Sequence, residues 1–145
     1  MFLPGAVHLA PGLGCHTMPL HVSLLYGGLA VLLVTLLGGN VSRLRGKLQA
    51  GLGAPLPGDL VRPQRAHGNA AEWVPLWLAL LVALELSGRV PQFWLHLLAG
   101  TFFGARVLHA IGFYRRSKLS IPGAGLTYLV LLIMGAWAVV IGLGR

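Results

Sequence analysis

The chain reads as an all-α integral membrane protein, a bundle of four transmembrane helices. Three observations carry that reading. Only 10% of the 145 residues are charged and 56% are hydrophobic, whereas a soluble domain carries about 25% charged residues. The mean hydropathy is +0.78. Four apolar stretches are each about as long as a helix needs to be to cross a bilayer, and most of the basic residues lie between them rather than within them. The net charge is +8, from 11 Lys+Arg against 3 Asp+Glu. With the cations placed between apolar spans, that charge speaks for the positive-inside rule and against a nucleic-acid partner. The single cysteine, Cys15, excludes an intrachain disulfide and a cysteine-based zinc site.

Residues 1–17 are rich in Gly, Pro and Ala and lack a basic start, so they make a poor signal peptide. They are expected to form a disordered extension, with Met18 as an alternative start and residues 18–145 as one four-span domain. The first span covers residues 21–39 and ends in Asn40, Arg43, Arg45 and Lys47. Residues 46–61, with Gly46, Gly51, Gly53, Pro55, Pro57 and Gly58, predict an irregular loop. Asp59 is a candidate cap for the second span, residues 63–86. Pro63 suits its first turn, and Pro75 interrupts its hydrogen-bond ladder. The turn Ser87-Gly88-Arg89-Val90-Pro91 leads to the third span, residues 92–114. Pro122 and Gly123 open the fourth, residues 122–142. Loop charge sets the orientation. Arg43, Arg45, Lys47, Arg62, Arg65, Arg115, Arg116 and Lys118 lie on one side, and only Arg89 and Arg145 on the other. That places both termini outside.

Polar residues inside spans are costly and face a bundle interior or a watery cavity. The second span opens with several of them. Arg62, Arg65, Asn69 and Glu72 are spaced three, four and three apart, so they share one helical stripe. In the third span Arg106, His109 and Phe113 share a face. Arg106 sits about two turns inside and calls for an acidic partner. Glu72 lies at similar depth, whereas Glu85 lies near the far surface, so Arg106 is expected to pair with Glu72 and Glu85 to be structurally neutral. Gly100 and Gly104 form a small-xxx-small pair expected to permit close helix approach. Trp73, Trp77, Trp94 and Trp137 are read as interface or core residues.

Arg65-Ala66-His67-Gly68-Asn69-Ala70-Ala71-Glu72-Trp73-Val74-Pro75, followed by Ala105-Arg106-Val107-Leu108-His109-Ala110-Ile111-Gly112, resembles MAPEG, the membrane-associated proteins in eicosanoid and glutathione metabolism. The likeness covers about residues 18–143 and is greatest to small bacterial members with no assigned reaction. It implies a homotrimer in the bacterial inner membrane, with glutathione as co-substrate bound between neighbouring subunits near the cytoplasmic side. The implied glutathione-binding positions are Arg65, Asn69 and Glu72, with Arg43 reaching in from a neighbour. Arg62 and His67 flank the site, and Arg106 and His109 complete the candidate set. Trp73 stands where glutathione-using members often have tyrosine. His109 and Phe113 stand where the leukotriene-synthesising branch has tyrosines, and Ser120 lies where that branch has its thiol-activating arginine.

In chemical terms, arginines bind carboxylates in bidentate fashion and Glu72 can accept an ammonium group. Asn69 offers both a donor and an acceptor. Nearby cations favour a reactive thiolate. The expected activity is a glutathione-dependent transferase or peroxidase acting on apolar small molecules that arrive through the membrane lipids. The alternative is a non-catalytic trimer that binds a lipid or an anionic small molecule in the same pocket. A small multidrug-type transporter fits less well, because such a protein needs an acid in the first span and residues 21–39 have none.

Overall fold

The computed structural model describes residues 20–51 and 55–144; the expectations for residues 1–17 lie outside them. The described residues form four helices, α1 (His21–Lys47), α2 (Gly58–Leu86), α3 (Gln92–Tyr114) and α4 (Ser120–Gly142). All four are long and apolar enough to cross a membrane. The third span has the bounds expected of it. The others are longer at their ends than their apolar stretches. α1 continues to Lys47 because Arg45 and Lys47 in its last turn complement the negative end of the helix dipole.

α2 begins five residues before the expected 63. Pro57 is its N-cap, with no side-chain capping bond, and Asp59 lies inside the first turn instead of capping it. There its carboxylate still favours the positive end of the dipole. Pro63 consequently falls in the second turn rather than the first, and the helix runs through both Pro63 and Pro75. α4 starts at Ser120, which puts Pro122 in its first turn, where a missing N–H is harmless. Gly88, at φ 63°, turns the chain between α2 and α3; a side chain resists that conformation.

α3 packs most extensively on α4 and α1 on α2, and α2 also contacts α3. The core is centred on Trp77 and Phe102, whose rings stack 4.4 Å apart and are both fully buried. Leu81, Leu84, Leu95 and Met134 pack into the same cluster. The opposite faces of α1 and α4 expose Leu24, Leu32, Leu36, Ile121, Leu132 and Val139 by more than half, as surfaces in lipid do.

Glycines set the spacing of α3 and α4, but not the pair expected from the sequence. A methyl group on Gly123 would lie 2.8 Å from both the Ala105 carbonyl oxygen and the His109 backbone nitrogen. A methyl group on Gly112 would run into the backbone of Leu119 and Ser120, where α4 begins. Gly104, by contrast, has nothing within 4 Å of that position, and Gly100 faces only the Tyr26 side chain. Gly100 and Gly104 therefore bring no helix backbones together within the subunit.

Candidate functional site

The period of α2 places Arg65, Asn69 and Glu72 in one line, and the structure turns that line toward an open cavity. This cavity, about 350 Å³, is lined by Gln64, Arg65, Gly68, Asn69, Glu72 and Phe113. Arg65 and Glu72 are exposed on the subunit surface, and Asn69 is half-buried between them. Along the helix the cavity thus meets a cation, then an amide, then an anion. That order suits a ligand carrying both signs of charge.

Arg62 and Arg43 are not part of this cavity. They line a second one, also about 350 Å³, formed by the end of α1, the start of α2 and the end of α3. Asp59, Tyr114 and Arg116 share its wall. Phe113 borders both cavities. Arg43 Nη2 donates to Asn40 Oδ1 at 2.9 Å, and Asn40 Nδ2 donates to the Tyr114 hydroxyl oxygen at 2.8 Å. Arg45 Nη2 donates to Gln64 Oε1 at 3.1 Å, tying α1 to α2 beside the first cavity.

His67 lines neither cavity. It turns toward α1, where Gly38 makes room for it: a methyl on Gly38 would stand 2.9 Å from its Cε1. The imidazole packs against α1 at that gap.

The expected partnership of Arg106 with Glu72 does not form. Arg106 is 2% exposed. Its Nη1 donates to Asn69 Oδ1 at 2.7 Å. Its Nη2 donates to the Gly123 carbonyl at 3.3 Å and to the Thr127 hydroxyl. Thr127 in turn donates to the Gly123 carbonyl at 2.8 Å. The guanidinium is met by neutral oxygens from α2 and α4, which share its charge without an acid. Depth along the helix matches Arg106 with Glu72, but Glu72 faces out to the cavity while Arg106 faces in.

His109 is also buried. Its Nδ1 lies 2.8 Å from the Ser120 carbonyl oxygen. A carbonyl only accepts, so Nδ1 is the donor in this bond. His109 and Phe113 pack edge to face at 4.9 Å. His109 thus clamps the start of α4, and it does not line the cavity.

The sequence profile of the MAPEG family matches residues 23–140. The chain belongs to the MAPEG family. It is 30% identical over 115 residues to "Inner membrane protein YecN" of Escherichia coli strain K12, covering 78% of this chain and 86% of that protein. The protein of the same name from Escherichia coli O6:H1 strain CFT073 matches to the same extent. With its four long apolar helices, this is a multi-pass integral membrane protein of the MAPEG type. The two halves of the MAPEG motif, one on α2 and one on α3, meet through the bond from Arg106 to Asn69.

Three participants escaped the sequence reading. Thr127 supplies an oxygen to Arg106; its signal was being one of very few polar side chains in a strongly apolar span. Gly123 supplies its carbonyl, which no sequence pattern advertises. Glu85 is not neutral. It is 9% exposed, and its two carboxylate oxygens accept the backbone N–H groups of Val22 at 2.8 Å and Ser23 at 2.7 Å. It caps α1 from the last turn of α2, remote from the cavity.

Proposed function

We propose that this MAPEG protein is a homotrimeric glutathione-dependent transferase or peroxidase of the inner membrane, with both termini outside, acting on apolar electrophiles. One observation carries the reading: Arg65, Asn69 and Glu72 line a single cavity on α2. The donor set fits the tripeptide. Arg65 matches a carboxylate, Glu72 matches the ammonium group, and the Asn69 amide lies between them. When bound, glutathione supplies the nucleophilic sulfur. The chain's own part is to bind and orient the tripeptide at the protein surface, where an apolar partner can arrive from lipid. Family membership and the inner-membrane relatives support the location. The surface exposure of Arg65 and Glu72 supports a site completed by a neighbouring subunit, to which Arg43 is the proposed contribution.

A second reading has its own support. Phe113, which lines the cavity, carries no hydroxyl. A trimer that binds an anionic small molecule or a lipid without catalysis fits a cavity wall without that hydroxyl.

Calorimetry of the purified protein with glutathione tests the first requirement. Arg65→Ala should keep the assembly and weaken binding by about 1.5–3 kcal/mol, the range for one charged hydrogen-bonded contact. Undiminished binding by Arg65→Ala would refute the site. Adding an aryl halide or an organic hydroperoxide separates the two readings, since binding without turnover of either selects the non-catalytic trimer.

A further inference from the structure

A buried arginine that meets an asparagine leaves that asparagine no freedom of orientation. Guanidinium groups only donate hydrogen bonds. Asn69 must therefore present Oδ1 to Arg106, and Nη1 donates to it at 2.7 Å. The planar amide then points its NH2 group away from Arg106. That Nδ2 has no partner among the described residues and is not shut off from the surface, and Asn69 lines the cavity with Arg65 and Glu72. Arg106 is itself fixed. It is 98% buried, and its other nitrogen is held by the Gly123 carbonyl and the Thr127 hydroxyl of α4.

We infer that Arg106 is a positioning residue that converts Asn69 from a two-way amide into a pure hydrogen-bond donor, so that the cavity takes a ligand carboxylate or carbonyl oxygen at Asn69. The Arg106 charge, uncompensated by any acid among its hydrogen-bond partners, stands directly behind that donor and favours an anionic acceptor. Read along α2, the ligand's acceptor group sits toward Arg65 and Asn69, and a cationic group sits toward Glu72. This rests on the proposed glutathione reading for the identity of the ligand, but the orientation of Asn69 does not.

The test is Asn69→Asp in the full-length protein, in two backgrounds: parent and Arg106→Met. The aspartate keeps an acceptor toward Arg106 and gains an ion pair with it, but it replaces the cavity-facing donor with a second oxygen. With Arg106 present, Asn69→Asp should leave the melting temperature unchanged or higher. With Arg106→Met that benefit should be lost, because the half-buried carboxylate then has no cation behind it. Calorimetry with glutathione should show at least a tenfold loss of affinity for Asn69→Asp on a protein as stable as the parent. A merely structural Arg106 predicts that affinity follows stability. Asn69→Asp lowering the melting temperature equally in both backgrounds would overturn the inference, as would parent-like glutathione affinity in Asn69→Asp. If the parent itself binds no glutathione, the function proposed above fails, and the sign of the stability change decides the orientation of Asn69 by itself.

Discussion

Glu85→Gln is the perturbation whose consequence follows most directly from the structure. The first-turn N–H groups of α1 have no partner within the helix, and the N-cap, Leu20, supplies no side-chain oxygen. In a membrane such groups must be satisfied by protein. Glu85 does so from another helix, with Oε1 on Val22 and Oε2 on Ser23 at 2.8 and 2.7 Å. Glutamine of the same shape keeps one oxygen but turns an NH2 group toward the other N–H, donor against donor. The loss is one charge-assisted hydrogen bond, about 1.5–3 kcal/mol. Added to it is the attraction of the carboxylate to the positive end of α1, about 0.3–1 kcal/mol. A destabilisation of about 2–4 kcal/mol follows. Reversible unfolding in mixed detergent micelles, followed by circular dichroism, measures it. Amide exchange should accelerate at Val22 and Ser23 first and leave α3 and α4 protected. A change below about 0.5 kcal/mol, within the range of an ordinary surface substitution, would refute the capping role of Glu85.

Three further expectations are open to measurement. Because Arg106 bonds Asn69, Gly123 and Thr127 rather than Glu72, the stability effects of Arg106→Leu and Glu72→Gln should add within about 0.5 kcal/mol. A double change costing much less than the sum would restore the ion pair. Gly123→Ala places a methyl group 2.8 Å from the Ala105 carbonyl oxygen and the His109 nitrogen. It should destabilise the subunit by about 1–3 kcal/mol in thermal unfolding, and a neutral result would deny the close packing of α4 on α3. The proposed assembly predicts a trimeric mass in detergent and a C-terminal cysteine that reagents reach from the outer side only; a stable monomer or cytoplasmic labelling would contradict it.

The sequence by itself determined what lipid and helical geometry impose. A bilayer demands about 20 apolar residues per crossing, so four spans were countable, and the third ended where expected. The helical period put Arg65, Asn69 and Glu72 on one face before any packing was known, and the structure keeps them on one cavity. Charged helix ends were harder to place. Lys47 and Asp59 lie beyond the apolar stretches, and hydropathy is blind to a helix that continues into water.

Only the tertiary structure decided which faces meet. Arg106 and Glu72 match in depth, but pairing also depends on the rotation of each helix about its axis, and that is set by packing against the others. The close seating of Gly123 on α3 brings a backbone carbonyl and Thr127 to Arg106, so neutral oxygens meet its Nη2 where an acid was expected. The helical period puts His67 opposite Arg65 and Asn69, and the packing of α1 decided that the imidazole sits in the gap at Gly38. Glu85 lay where its sequence position placed it, at the end of α2. Its role arose because the uncapped start of α1 rests against it, and a free N–H has no sequence signature until another helix's oxygen arrives to meet it.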